Sequence, residues 1–198
     1  MKKLSRKFYL SRDTPSLARD LLGKLLVVPG DDGRRISGMI VETEAYMGHN
    51  DRAAHSFGGR RTARNNVSYG VGGHAYIYFI YGMYHQLNIV TGPADHPHGV
   101  LIRAIEPVEG IDAMRLRRGD MKDTNLTSGP GKLCIALDLD RDRNGEDLLG
   151  ENIYIERYKR FKDEEVAVGK RIGIDFAGED AERLLRFWVS GNPFVSRK

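Results

Sequence analysis

The chain has 198 residues, 40% of them hydrophobic and 29% charged, a length that suits one compact core and a composition that excludes a membrane-embedded protein and a disordered tail. Its one cysteine, Cys134, excludes internal disulfides, four-thiolate zinc sites and iron–sulfur clusters and points to a reducing cytoplasm. With 31 Lys and Arg against 27 Asp and Glu the net charge is +4, a mild lean toward polyanions whose meaning depends on where the charges fall.

At the start, Lys2 and Lys3 imitate a signal peptide, but Arg6, Lys7 and Arg12 interrupt any apolar run, so no export is expected. Thr14-Pro15, then Leu17, Leu21 and Leu22 with a stop at Gly23, predict a short helix with Thr14 as its N-cap. The apolar run Leu25–Val28, a turn through Pro29-Gly30-Asp31-Asp32-Gly33 and an alternating run from Ile36 to Tyr46 predict a hairpin. In its second strand, alternation puts Glu42, Glu44 and Tyr46 on one face and Val41, Thr43 and Ala45 on the other, with same-face neighbours roughly 7 Å apart. Two carboxylates at that spacing suit hydrolysis of a glycosidic bond, one as acid and one activating water. The competing reading is a strand face salt-bridged to nearby arginine.

Residues 49–64 carry Arg52, Arg60, Arg61 and Arg64 against Asp51 alone, a first basic patch. The segment Gly70-Val71-Gly72-Gly73-His74-Ala75 has the form of a dinucleotide fingerprint. That motif must follow a strand and open a helix, whereas here a strand of Tyr, Ile and Phe follows, so no dinucleotide cofactor is expected. Strands Ala75–Tyr81 and Tyr84–Val90 with a two-residue turn at Gly82-Met83 form a second hairpin, and six of the nine tyrosines fall between positions 46 and 84. Tyr76, Tyr78 and Ile80 share one face; Ile77, Phe79 and Tyr81 share the other. Core packing is the plain reading for Tyr76 and Phe79. Tyr81, beside the tip, has no sheet neighbour to bury it, and proteins that enter the minor groove push such a side chain between base steps.

His96-Pro97-His98 could offer two metal ligands, but no carboxylate–histidine helix pair accompanies them and no metal is expected. A strand at Val100–Ile105 precedes a second basic patch at residues 112–122, and Ser128-Gly129-Pro130 opens a helix to about Leu137. Gly131-Lys132 lacks the glycine and hydroxyl of a phosphate loop and reads as helix surface. Asp140, Asp142, Asn144, Gly145 and Glu151 match a calcium-loop pattern, yet Asn152–Glu156 alternates as a strand where a helix should begin, so no calcium site is expected. Further strands are predicted at Val166–Ile174 and Arg186–Val189. Many strands with few helices imply an α+β fold, one compact domain built on a curved, mostly antiparallel sheet with a protruding hairpin.

Taken together, V-E-T-E-A-Y at 41–46, A-A-H-S-F-G-G-R-R-T-A-R-N at 53–65, Y-I-Y-F-I-Y-G-M-Y at 76–84, L-I-R-A-I-E-P at 101–107, S-G-P-G-K-L-C at 128–134 and R-F-W-V-S-G-N-P-F-V-S at 186–196 resemble the alkyladenine (3-methyladenine) DNA glycosylase family, in its bacterial form. The resemblance covers nearly the whole chain in order. It implies a single DNA glycosylase domain over 1–198, a monofunctional base-excision enzyme that needs no cofactor or metal. Its partner would be double-stranded DNA containing damaged purines, and the protein a cytoplasmic monomer acting on the nucleoid. By motif position, Glu44 is implied as general base for the attacking water with Arg103 beside it, and Tyr46, His55 and Tyr78 as the groups that sandwich an extruded base. Asn88 would crowd the exocyclic amine of normal guanine, Tyr81 would intercalate, and Met83 and Tyr84 belong to the same tip. The sequence departs from the family pattern in a longer Thr91–Gly99 loop and in Asp175-Phe176, which replaces a small residue followed by His.

Chemistry suits these residues. Extrusion of a base costs a few kcal/mol, which stacking on aromatic faces at about 1–3 kcal/mol per base can offset. An alkylated purine is cationic and attracted to electron-rich rings, and the oxocarbenium-like sugar it leaves is favoured by a nearby carboxylate. A glutamate with an ordinary pKa of about 4.3 is ionised at neutral pH. No lysine sits in the matched pocket motifs, so water rather than a Schiff base is the expected nucleophile. Arg60, Arg61 and Arg64 are the expected phosphate contacts. A non-catalytic reader of nucleic-acid damage, using the same hairpin and basic patches, is the alternative; it would gain nothing from a carboxylate facing a phosphate-rich ligand.

Overall fold

A computed structural model describes residues 2–11, 13–30 and 33–197; Arg12, Asp31 and Asp32, named in the expectations above, lie outside the described residues. Eight strands, β1 (Leu25–Pro29), β2 (Arg35–Tyr46), β3 (Ala75–Ile80), β4 (Tyr84–Thr91), β5 (His98–Glu109), β6 (Tyr154–Glu156), β7 (Val166–Gly169) and β8 (Arg186–Val189), form one sheet. Its order is β3-β4-β5-β2-β1-β6, with β8 paired to β2 and β7 to β8, and every pairing is antiparallel. Four helices, α1 (Arg6–Leu10), α2 (Thr14–Leu21), α3 (Ile111–Arg118) and α4 (Pro130–Leu137), complete the single α+β domain. No helix among the described residues is long and apolar enough to cross a membrane.

The core lies on one face of the sheet, where Ile40, Ile77, Leu87, Ile89 and Ile102 meet Leu21 of α2 and Leu133 and Leu137 of α4. Strand β2 is buried along almost its whole length because β5 flanks one edge while β1 and β8 divide the other. Three register shifts interrupt its ladder with β5, one between Ser37 and Gly38 and two beside the site: Ile40 pairs with Ile105 and Glu42 with Ala104, then Thr43 with Ile102. At those two, Val41 and Arg103 are the residues left over, one on each strand. Such bulges re-aim side chains, and Arg103 is one of the re-aimed ones.

Several expectations need correction. Asp13, not Thr14, caps α2: its carboxylate accepts from the Ser16 N–H at 3.0 Å, while the Thr14 hydroxyl is buried against that of Thr91, also at 3.0 Å. The hairpin tip holds three residues, not two, since Ile80 pairs directly with Tyr84. Tyr81 leaves the strand with φ 55° and Gly82 follows with φ 68°, two consecutive left-handed residues that reverse the chain. The strand expected over Val166–Ile174 stops at Gly169, because Arg171 then turns inward to a buried partner described below. Helices α1 and α3 went unpredicted. For α3 a signal existed: Gly110 and Gly119 bracket it, Asp112 lies in its first turn and Arg115, Arg117 and Arg118 in its last, each sign opposing the helix dipole.

Candidate active site

Antiparallel pairing puts directly opposite residues on the same face, and the registers here join five strands into one row. Tyr76 of β3 pairs with Asn88 of β4, Asn88 with Leu101 of β5, Leu101 with Glu44 of β2, and Glu44 with Arg186 of β8. The rows on either side run Tyr78–Gln86 and Val90–Gly99–Tyr46. These rows floor a cavity of about 460 Å³ on the face away from the core. Its walls are the loop from Arg52 to Asn65 and a strap from Ile172 to Phe176, with Ile80 and Tyr81 of the hairpin at its edge.

The charged machinery of the floor is buried. Arg103 donates from Nε to Glu42 at 2.9 Å and lies 3.2 Å from Glu44 through Nη1. Glu42 is saturated, accepting also from Arg186 Nε at 2.8 Å, the Ser196 N–H at 2.6 Å and the Ser196 hydroxyl at 2.9 Å. Glu44 accepts from the Ile172 N–H at 2.8 Å and from the Tyr46 hydroxyl at 3.0 Å. It has no exposed surface and stands just behind the cavity wall, whose members Tyr46, Arg103 and Ile172 are its own partners. Burial pushes the Glu44 carboxyl up; Arg103, the Ile172 N–H and the Tyr46 hydroxyl oppose the shift and the Glu42 charge adds to it. The two carboxylates share one arginine, Arg103; Glu42 lies deeper in the ion-pair array and Glu44 beside the cavity.

Aromatic groups gather as expected. The ring of His55 lies 4.5 Å from that of Tyr78, edge to face, and its Nδ1 is 2.9 Å from the Tyr76 hydroxyl. Burial, reinforced by Arg64 and Arg60, pushes the His55 imidazole down to about 4, so it is neutral at physiological pH. Burial likewise raises the Tyr46 phenol well above its ordinary value and lifts that of Tyr76 to about 12. Asn88 lines the cavity, and its buried Nδ2 makes no well-formed hydrogen bond.

At the hairpin tip Tyr81 is 73% exposed and Met83 63%. Tyr84 is anchored instead: its ring lies against α4, where a Cβ on Gly131 would come within 2.9 Å of it. Of the three expected phosphate contacts, Arg60 and Arg64 reach the cavity wall. Arg61 is held by Asp95 at 3.1 Å and Asn66 at 2.8 Å, over the Tyr69 ring. The second basic patch is largely self-paired, with Arg115 on Asp123 at 2.8 Å and Arg117 on Asp138 at 3.4 Å. Elsewhere, the His98 ring faces the Thr14 hydroxyl at 3.3 Å. In the calcium-like loop Asn144 turns its oxygen to the Ile77 N–H and Glu151 pairs with Lys3. The glycines of the dinucleotide-like segment let chains pass closely, since a Cβ on Gly73 would meet the Tyr9 ring at 2.7 Å.

One buried ion pair escaped the sequence. Arg171 grips Asp51 with both terminal nitrogens, at 2.5 and 2.8 Å, and neither side chain is exposed. Asp51 was legible only as a lone acid within a basic patch, and 120 residues of sequence separate the two.

Comparison with known proteins agrees over nearly the full length. A family model described as Methylpurine-DNA glycosylase (MPG) matches residues 7–193. A protein of Clostridium acetobutylicum named "Putative 3-methyladenine DNA glycosylase" is 50% identical over 202 residues, covering 98% of this chain and 97% of that protein. Proteins of the same name are 45% identical in Clostridium novyi, over all of both chains, and 48% identical in Bacillus cereus strain G9842, over 94% of this chain and 95% of that one.

Proposed function

The chain belongs to the methylpurine-DNA glycosylase family, and is thereby a DNA-repair hydrolase of N-glycosyl bonds; from that premise we propose that its cavity receives a damaged purine swung out of duplex DNA, with Glu44 serving hydrolysis at the sugar. The observation that supports this most directly is the cross-strand row that sets an arginine-bound carboxylate directly behind a floor of aromatic and amide side chains.

In this reading Tyr46, His55 and Tyr78 stack on the extruded base, and Asn88 meets its edge and rejects a purine with an extra amine there. Tyr81 fills the gap in the duplex, with Met83 beside it and Tyr84 bracing the hairpin on α4. Arg60, Arg61 and Arg64 face the phosphates, Arg61 through a guanidinium it shares with Asp95. Water adds its oxygen to C1′ as the C1′–N bond breaks and the bonding pair leaves with the base. Glu44, ionised, stabilises the positive sugar and takes up the water's proton, while Arg103 fixes its orientation. The acting unit is one copy of a single glycosylase domain over residues 1–198, working on damaged purines in the nucleoid of the cytoplasm. A reader without catalysis would need the hairpin and the basic rim, but not the buried array of Glu42, Arg103 and Glu44.

Release of free base from duplexes containing 3-methyladenine or hypoxanthine tests the reading. Glu44→Gln should lower the rate of release by about 10²–10⁴-fold while lesion binding stays near that of the parent. A Glu44→Gln protein that excises normally would sink the mechanism.

A further inference from the structure

We propose that Phe176 and Phe57 form an apolar lip at the mouth of the cavity that packs on the nucleotide next to the lesion in the same strand, with Phe176 as the principal contact. This rests on the reading of the cavity as the site of an extruded purine and adds to it a hold on the strand from which the purine comes.

Both rings line the cavity and both face water: Phe176 is 76% exposed and Phe57 46%. They come from its two walls, Phe176 from the outer end of the strap and Phe57 from the loop of residues 52–65. Their backbones are anchored. Ile174 and Ala177, on either side of Phe176, are buried, and the Ala177 N–H donates to the Ile174 carbonyl at 2.8 Å. Ser56, before Phe57, is buried, and the Phe57 N–H donates to the Ala54 carbonyl at 3.1 Å. The two walls are also stitched together. The Arg52 N–H donates to the Asp180 carboxylate at 3.1 Å, the Asp180 carbonyl accepts from Arg171 at 3.2 Å, and a Cβ on Gly178 would come within 3.2 Å of the Arg52 guanidinium. A fold that holds two large rings in water beside a cavity keeps them for a partner.

The strap identifies which part of the partner they meet. It begins at Ile172, whose N–H holds Glu44 at 2.8 Å, so it follows the sugar side of an extruded nucleotide. Phe176, four residues further out, reaches past that sugar to the strand itself, while Tyr81 stands at the hairpin edge of the same cavity. The contact is with sugar and base rather than phosphate, because Asp175 and Glu179, exposed acids close to Phe176 in the chain, repel an anion. Phosphates are left to the arginines of the facing loop, Arg52 and Arg60. Contact with a ring needs no particular base and is therefore compatible with any sequence around the lesion.

The test measures dissociation constants of the parent, Phe176→Ala, Phe176→Trp and Phe57→Ala for duplexes carrying one 2′-fluorinated, cleavage-resistant hypoxanthine nucleotide. One duplex is intact, two lack the single nucleotide 5′ or 3′ of the lesion, and a fourth lacks the nucleotide facing the lesion in the undamaged strand. Phe176→Ala should weaken binding of the intact duplex by about five- to fiftyfold, and that loss should shrink to under about twofold on one of the two duplexes gapped beside the lesion, where the contact is already gone. Phe57→Ala should show a smaller loss with the same dependence, and Phe176→Trp should bind as the parent does. Because the Phe176 ring lies mostly in water, Phe176→Ala should melt as the parent does. Intact-duplex affinity of Phe176→Ala within about twofold of the parent, an equal loss on all four duplexes, or a loss that disappears only when the facing nucleotide is removed overturns the proposal. Failure of the underlying reading looks different, because the parent would then bind lesion and undamaged duplexes alike and release no base from cleavable hypoxanthine duplexes.

Discussion

Glu42 and Glu44 sit two residues apart on one strand and are held in different ways. Glu42 is enclosed by Arg103, Arg186 and both donors of Ser196, so its charge is spent on holding the array together. Removing one partner of a buried ion pair costs about 3–5 kcal/mol, and Glu42→Gln should lower stability by roughly that amount in urea denaturation. Its effect on excision by the folded protein should be smaller than that of Glu44→Gln; the reverse order would exchange the two roles. Glu44 instead carries a burial cost, which lifts its carboxyl despite Arg103 and two hydrogen bonds. Excision that needs the ionised form should therefore rise with pH through a value above the ordinary carboxylate range, measured as single-turnover release of 7-methylguanine. The sign for stability is opposite. The native state keeps this proton to higher pH than the unfolded chain does, so the group's contribution is complete below the unfolded pKa and is lost as pH rises through the folded one. The stability of Glu44→Gln relative to the parent should accordingly improve from about pH 4 to neutrality; a difference flat across that range would remove burial as the cause.

At the scale of elements, the β3–β4 hairpin carries strain at its tip. Tyr81 holds φ 55°, a left-handed conformation that costs a bulky residue on the order of 1 kcal/mol or more, yet its ring is mostly exposed and packing gives little in return. Tyr81→Gly should leave the melting temperature unchanged or raised while excision from fully paired duplex falls; equal losses in both would mean that the ring serves the fold. The hairpin itself was legible, because alternation of Tyr and Ile in a short run has one good solution, and so was the shared face of Glu42, Glu44 and Tyr46. Its three-residue tip was not, since nothing in Tyr81 favours positive φ. The bulge at Arg103 was equally hidden: a register shift depends on the partner strand, which alternation within β5 does not reveal. Arg171 read as one more residue of a strand, and only the fold brings it to Asp51.

For the whole molecule, a net charge of +4 is too small to decide anything, and what matters is which cations remain available to DNA. The patch over residues 112–122 spends Arg115 and Arg117 on Asp112, Asp123 and Asp138 and Arg118 on the Leu126 carbonyl, and Arg61 is engaged by Asp95, whereas Arg60 and Arg64 stand at the cavity wall with no acidic partner among the salt bridges of the described residues. Exposed pairs such as Arg61–Asp95 are worth little in stability, but an arginine that must leave a carboxylate to reach a phosphate returns less binding than one that is free. Each phosphate neutralised contributes about −0.9 to the slope of log affinity against log salt. Arg64→Ala should therefore flatten that slope by about one unit, and Arg60→Ala should do the same, with lesion preference retained in both. Arg61→Ala should change the slope by much less. Lesion-duplex affinity titrated from low to physiological salt separates the three, and an Arg61→Ala slope change equal to that of Arg64→Ala would show that Asp95 yields its arginine to DNA at no cost.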